Sequence, residues 1–519
     1  MPSPDTLVVG LYFLVLLSLS VYGAHRSVLL YLYINCRHHR QRAAVSGAGF
    51  PPAGAANPPR VTVQLPIYNE VFVVERLIDA VARMRYPRDR FEVQVLDDST
   101  DETSRLARRA VRRWRSRGVA IEHRRRAGRS GFKAGALAEG LRSASGDLIV
   151  LFDADFVPPG DFLERAVGAF EDPRVGMAQA RWGHANRGYS MLTRLQALLL
   201  DGHFVLEHGG RSRGGCFFNF NGAAGIWRRA AIESAGGWQP DTLTEDLDLS
   251  YRAQLAGWRF VFLPDIVAPA ELPVSMNAFK SQQHRWAKGS IQTCRKLLPS
   301  VLRAAVPLRV KAEAFFHLTA NFNYPLILVL SLLVVPALAA RTGPDGDPRW
   351  LLLDAALFGA AAVSATAFYA VSQRELGGRW WQRLRDLPAL IALGLGLSVN
   401  NAAAVVEALA THTGEFRRTP KYGVTAAYRK PAAARVSAAA NTPGHRRYRE
   451  AAVCQPLVEI ALGAWFTFAV AYALAAGAYL LVPFLALFPV GFFYTGFTSL
   501  ASQPARPIRV RAQLAGGAP

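Results

Sequence analysis

"GDLIVLFDADFVPP", residues 146–159, decides how the middle of this chain folds. Leu148 to Phe152 is an unbroken apolar run of strand length, and it ends without a spacer in Asp153-Ala154-Asp155. Such a run, closed off by a Pro pair, reads as a buried strand followed by a loop. Alternate residues of an extended segment share a direction, so the two carboxylates can face one hard cation. Mg2+ or Mn2+ suits that pair, because these ions take few carboxylates and complete their shell with phosphate oxygens. An isolated D-x-D is common by chance. Its place directly after an apolar strand gives this one weight.

Two segments upstream repeat the form. "RVTVQLPIYNE" (60–70) is a strand that turns into the helical periodicity of "EVFVVERLIDAVARM", and "FEVQVLDDSTDET" (91–103) is a strand tipped with acids before a basic helix. Strand–helix alternation predicts an α/β domain built on a mostly parallel sheet, with ligands gathered at the carboxyl ends of its strands. Asn69 and Glu70, Asp97 and Asp98, and Asp153 and Asp155 are delivered to that rim. "DDSTDET" is by itself also a good helix-capping sequence. Three acid-tipped strands in succession, however, are costly without a cation or donors to compensate them, and so indicate a site.

The complementary charge comes from "RSGFKAGAL" (129–137), where Gly131 and Gly135 flank Lys133 at a helix start suited to a diphosphate. "FNFNGAAGIWRR" (218–229) is a small-residue turn. In "GGWQPDTLTEDLDLSYRAQLAGW" (236–258) capping accounts for Thr244, and Asp246 is left over for chemistry. "FKSQQHRWAKGS" (279–290) combines a flat ring that can stack on a sugar, Trp286, with a guanidinium that can fork onto a phosphate, Arg285, and the amide of Gln282. Alone it would equally suit an interface helix anchored by its tryptophan.

Around this domain the chain is apolar. Of its 519 residues 51% are hydrophobic, yet the mean hydropathy is only +0.12, the average of a soluble part and a membrane part. Runs over 7–35, 313–340, 350–371, 388–411, 453–474 and 477–499 are each near the ~20 residues that cross a bilayer. The first is too long for a secretory signal and reads as a retained anchor. The resulting division is an anchor (1–36), a Pro/Gly/Ala linker (37–59), a soluble domain (60–300), membrane and interface helices (301–500) and a basic tail (501–519). Segment 388–411 contains "GLGLSVNN" and Glu407, so a broken or re-entrant helix is expected there.

Lys and Arg number 60 against 38 Asp and Glu, a net charge of +22. Basic clusters such as "CRHHRQR" (36–42), "RELGGRWWQRLRD" (374–386) and "HRRYRE" (445–450) abut apolar runs, which points to a lipid bilayer and not to nucleic acid. The flank after the first run places the soluble domain in the cytosol of a multi-pass protein, in a bacterial inner or plasma membrane. Cys36, Cys216, Cys294 and Cys454 form no CxxC pattern and indicate neither disulfides nor zinc.

The ordered set "DDS", "FKAGAL", "FDADF", "FNGAAGIWR", "TEDLDLSYR" and "QQHRW" resembles family-2 inverting glycosyltransferases of the cellulose-synthase-like type. "GEFRRTPKYG" (414–423) resembles the gating loop of cellulose synthases and the matching segment of plant mannan and xyloglucan-backbone synthases. The resemblance implies a GT-A-like cytosolic domain inserted between transmembrane helices. It further implies processive transfer of hexose from a nucleotide sugar, UDP-glucose or GDP-mannose, onto a growing β-1,4-linked polysaccharide that is translocated as it grows. Asp246 would be the base, and Asp155 with Asp153 would hold Mg2+ or Mn2+. Lys133, Gln282 and Arg285 would bind the donor. Asp97 and Asp98 would hold the nucleoside, with Pro66, Tyr68 and Glu70 lining its pocket. Trp286, Asn221, Gly222 and Glu245 would meet the acceptor, and Phe416, Thr419 and Lys421 would form the gate. Ala223 departs from the threonine that many relatives carry, removing a hydroxyl near the expected acceptor end. The rival activity is transfer of one sugar to a ceramide- or polyprenyl-type lipid; the non-enzymatic rival is a basic membrane scaffold.

Overall fold

The computed structural model describes residues 3–36, 58–343, 347, 349–411, 418–424 and 454–502. Phe416, most of the expected linker and nearly all of the expected basic tail lie outside the described residues.

Seven strands form one sheet: β1 (Val61–Ile67), β2 (Phe91–Asp97), β3 (Ile121–Arg125), β4 (Leu148–Leu151), β5 (Val175–His184), β6 (Gly225–Arg228) and β7 (Arg259–Ala270). Their order is β3-β2-β1-β4-β6-β5-β7. β1 runs parallel to β2 and β4, β2 to β3, and β5 to β7; β6 runs antiparallel to both of its neighbours. The three acid-tipped strands therefore stand side by side. The order turns back between β1 and β4, the switch point at which a parallel sheet opens a crevice.

Helices cover both faces. Val74–Ala82 buries Val74, Leu77, Ile78 and Val81 at helical spacing, and Thr103–Arg115 presents Ala107, Ala110, Val111 and Trp114 inward with its arginines outward. Phe132–Ser143 closes the other face with Leu137 and Leu141. Three residues other than glycine adopt positive φ, namely Asn69 (57°), Phe132 (48°) and Ala224 (54°). They fall just beyond β1, at the start of the Lys133 helix, and in the turn before β6. Backbone strain of this kind persists where the surroundings over-determine it.

Among the described residues five helices are long and apolar enough to cross a membrane: Pro4–Asn35, Leu308–Thr342, Trp350–Glu375, Cys454–Ala475 and Val482–Ala501. Outward-facing Leu7, Leu14, Leu332, Leu352 and Val363 are each at least 60% exposed, as lipid-facing side chains are. A sixth crossing is possible by composition through Trp380–Gly396 and Ser398–Ala410, which meet at a 41° bend. That is the broken helix expected from "GLGLSVNN". The helix Met276–Arg303, capped by the Ser275 hydroxyl, carries the Gln-Arg-Trp motif and packs along Ser398–Ala410.

Candidate active site

Lys133 is the hub of the rim. Its ammonium donates to Asp153 Oδ1 at 2.6 Å and to the Gly222 carbonyl at 2.9 Å, and lies 3.8 Å from Glu245. Burial works against its charge, but Asp153, Glu245 and Asp246 together raise its pKa. One lysine thus joins β4, the turn before β6 and the helix Glu245–Leu255. Gly222 has φ +79°, and a Cβ there would lie 2.9 Å from Asp246 Oδ2. Only glycine lets this turn come up against that carboxylate.

Asp246 stands in the first turn of its helix, where its Oδ1 accepts the Leu247 N–H at 2.9 Å. Burial and the neighbouring Glu245 charge push it up to about 7, against the pull of Lys133 and Arg285. A carboxylate poised near neutrality is matched to taking a proton. Arg285 is close enough for its charge to act on Asp246. Gln282, Arg285 and Trp286 are all partly exposed, on one stretch of Met276–Arg303. That helix touches the head of the Asp246 helix at Gly289, where a Cβ would sit 2.6 Å from Thr244 Cγ2.

Asp98 is held by a fork from Arg126, with Nε to Oδ1 at 2.9 Å and Nη2 to Oδ2 at 2.5 Å. Beside it the Arg129 guanidinium lies 3.4 Å over the Tyr68 ring. Asp97, expected with Asp98 to hold a nucleoside, has its carboxylate tied to the protein. It is buried, with Oδ1 taken by the Ser99 N–H and Oδ2 by Ser104 and His123. Burial would raise its pKa, yet those hydrogen bonds hold it below the ordinary carboxylate value. It braces the loop from behind. Ala223, where many relatives carry threonine, is fully buried in the core.

Residues 418–424 lie across the cleft as a strap. Arg418 forks onto Glu70 with two contacts of 2.8 Å. Lys421 donates to Asp155 Oδ2 at 2.7 Å and to the Glu271 carbonyl at 2.5 Å, and the Glu271 carboxylate accepts the N–H groups of Tyr422 and Val424. Burial pushes Glu70 up to about 7 in spite of Arg418. The Thr419 hydroxyl is buried without a hydrogen-bond partner among the described residues.

A model of the family described as "Glycosyltransferase like family 2" matches residues 58–289. The chain carries a family 2 glycosyltransferase domain. Its similar relatives include a probable glucomannan 4-beta-mannosyltransferase 10 of Arabidopsis thaliana, 45% identical over 47% of this chain and 45% of that protein. A glucomannan 4-beta-mannosyltransferase 1 of Cyamopsis tetragonoloba is 40% identical over 54% of this chain and 55% of that one. The chain thus matches about half the length of these curated relatives. Among solved structures, a mannosyltransferase from Pyrobaculum calidifontis in complex with GDP-Man and Mn2+ is 24% identical, covers 76% of this chain and 99% of its own, and has a TM-score of 0.49.

The glycosyltransferase domain has the GT-A-like layout, and Asp153 and Asp155 are the acids that could hold a metal. Among the described residues no three of His, Cys, Asp and Glu converge on one point. Asp153 and Asp155 each take an ammonium group instead, from Lys133 and Lys421. Lys421 stands where a cation on Asp155 would stand. Two hard carboxylates with the remaining ligands left to a diphosphate fit a divalent ion of the Mg2+ or Mn2+ kind. Several residues of the site escaped sequence reading. Arg126 is one of many arginines in "HRRRAGR", and nothing in the sequence singles it out. Glu271 could have been found, because it directly follows the apolar β7 as the other acids follow their strands.

Proposed function

We propose that the protein is a membrane-embedded, inverting, processive β-mannosyltransferase that builds a β-1,4-linked mannan-type polysaccharide from a nucleotide sugar. The observation that carries this reading is the convergence of Asp153, Glu245, Asp246 and the Gly222 carbonyl about Lys133, at the carboxyl edge of a family 2 domain. The mannosyl and β-1,4 elements are carried over from the names of relatives about 40–45% identical.

In this reading the acceptor hydroxyl attacks the anomeric carbon from the face opposite the diphosphate. Its oxygen forms the new glycosidic bond, its proton passes to Asp246, and the bond from the anomeric carbon to the phosphate oxygen breaks with inversion. Lys133 and Arg285 offset the charge that develops on the leaving diphosphate. Asp155, with Asp153, would hold a divalent ion, whose charge supplies further stabilisation of that leaving group when bound. Asp98 and Tyr68 hold the nucleoside end. The strap excludes water above the donor, with Thr419 offering its unpartnered hydroxyl and Lys421 its ammonium to phosphate oxygens. The catalytic domain faces the cytosol, and the chain end is fed into the bundle beside it.

The test is incubation of membranes carrying the full chain with labelled GDP-mannose or UDP-glucose, with Mg2+ or Mn2+, followed by linkage analysis. A 4-linked mannan from GDP-mannose is the expected product. Labelled lipid carrying one sugar, without chain growth, would replace this reading with single transfer.

A further inference from the structure

The helix that begins at Met191 widens into a π-helical turn over His203–His208 before continuing to Gly214. Such turns displace side chains from helical register and are common where a site is being built. Here the turn separates two kinds of residue. Phe204, Val205, Leu206 and His208 are buried, while His203 keeps 25% and Glu207 30% of its side chain accessible. Those two polar groups therefore line a space, although their neighbours are packed.

They face the cleft just described. His203 Nδ1 meets Glu207 Oε2 at 2.8 Å, and its Nε2 meets Asn221 Oδ1 at 3.0 Å. Asn221 is also held by His208, 2.8 Å from its amide nitrogen, and by the Asn219 amide at 3.2 Å. Its next neighbour in the chain is Gly222, which touches both Lys133 and the proton-accepting Asp246. Asn221, expected to bind the acceptor, is held on its amide by His203, His208 and Asn219. The accessible groups behind it are His203 and Glu207. On the far side, Arg211 stands 3.6 Å from Glu207 and donates to Glu313 at 2.8 Å. Burial would raise Glu207, but His203 and Arg211 hold it well below the ordinary glutamate value. The result is a fixed carboxylate beside an imidazole, between the reacting centre and the first and second spans.

We propose that His203 and Glu207 form an acceptor subsite that grips hydroxyls of the sugar ring preceding the one being extended. Glu207 Oε1 is left to accept from hydroxyls, and His203, whose ring nitrogens meet Glu207 and Asn221, can exchange one of those contacts for a hydroxyl, so together they suit a polyol. Adjacent Cα atoms are about 3.8 Å apart, so a group bonded to Asn221 sits within roughly a sugar ring of the centre at Gly222. This inference rests on the polymerase reading. It adds to it a pair of specificity-determining side chains outside the family's motifs.

The experiment uses the full chain in lipid nanodiscs with β-1,4-mannotetraose as probe, measuring equilibrium binding of the probe and, separately, donor hydrolysis and elongation. His203→Gln and Glu207→Gln each weaken mannotetraose binding and raise its KM by about tenfold, as loss of a hydrogen bond to a charged or polar partner does. Donor hydrolysis and nucleotide affinity stay within about twofold of wild type, because neither residue touches the diphosphate. Unchanged mannotetraose binding in both variants overturns the subsite. So does a parallel fall of donor hydrolysis and elongation, which would mean that the pair only braces the Asn221 turn. Wild-type binding of mannotetraose without elongation from any donor would leave the subsite standing and remove the polymerase reading instead.

Discussion

Asp246 concentrates the chemistry on one oxygen pair, and its environment gives a pH signature. Its pKa is raised to about 7 by burial and by Glu245, and a base works only when deprotonated. Below that value the protonated fraction grows, so kcat/KM should fall about tenfold for each pH unit, and above it the profile should flatten. An ordinary aspartate would put the limb near pH 4. Asp246→Asn should lower turnover by about 10²–10⁴-fold and leave the residual rate without that acid limb, while nucleotide binding persists. A profile unchanged by the substitution would move the base elsewhere. This residue stood out in the sequence because capping was expected to account for Thr244; in the structure the Thr244 hydroxyl makes no cap and meets Thr293 instead. Lys133 was legible for a similar reason, as a lysine between two glycines at a helix start. The surroundings of Asp97 were not legible, because its local sequence is the same whether a carboxylate points out or in. Only the partners that fold back on it, His123 from β3 and Ser104 from the next helix, decide the matter. Those contacts span 26 and 7 residues, beyond any local pattern.

The element whose behaviour matters most is the strap. It was legible as a gate by resemblance, but its docking was not, because both of its anchors, Glu70 and Glu271, lie more than 140 residues away in the chain. Lys421 pairs with Asp155 at 2.7 Å, so a divalent ion bound as proposed at Asp155 would compete with this lysine for one carboxylate. Lys421→Met frees Asp155 and should tighten Mn2+ binding to the nucleotide-free protein by about tenfold, the equivalent of ~1.4 kcal/mol. The same variant should bind nucleotide sugar more weakly, having lost a phosphate partner. Paramagnetic relaxation of water protons by Mn2+ measures the first effect without any turnover, and Asp155→Asn should abolish it. Mn2+ affinity that does not respond to position 421 would show that the lysine is no stand-in for the ion. The broken segment Trp380–Gly396 and Ser398–Ala410 teaches the complementary lesson. Its Gly, Ser and Asn residues announced a break, and Glu407, out of place in a clean span, turns out to meet His284 and Lys288 of the Gln-Arg-Trp helix.

At the scale of the whole molecule, the catalytic domain is fastened to the spans by charge. Lys280, on the helix that carries Gln282, Arg285 and Trp286, is buried with its ammonium on Glu459 Oε2 and Ser499 Oγ, both at 2.6 Å. Removing one partner leaves an uncompensated buried charge, so Glu459→Leu should cost about 3–5 kcal/mol, and adding Lys280→Met should restore most of it. Thermal unfolding in nanodiscs, compared across the two single variants and the double, measures that coupling. On the proposed reading, a polymerase fastened in this way to the spans would pass its product directly between them. With the orientation proposed from the basic flank 36–42, inverted membrane vesicles would present the strap and the cleft to the medium. Supplied with labelled GDP-mannose outside, such vesicles should accumulate polymer in their lumen. There it resists added β-mannanase until detergent opens the membrane, while a cysteine introduced at position 116, exposed on the soluble domain, reacts with an impermeant maleimide from the outside. Polymer digested at once by the enzyme, with the same cysteine accessible, would mean that synthesis and export are separate and that the spans serve only as an anchor. Absence of polymer together with protection of that cysteine, both relieved when detergent admits donor and reagent, would mean that the whole molecule is oriented the other way.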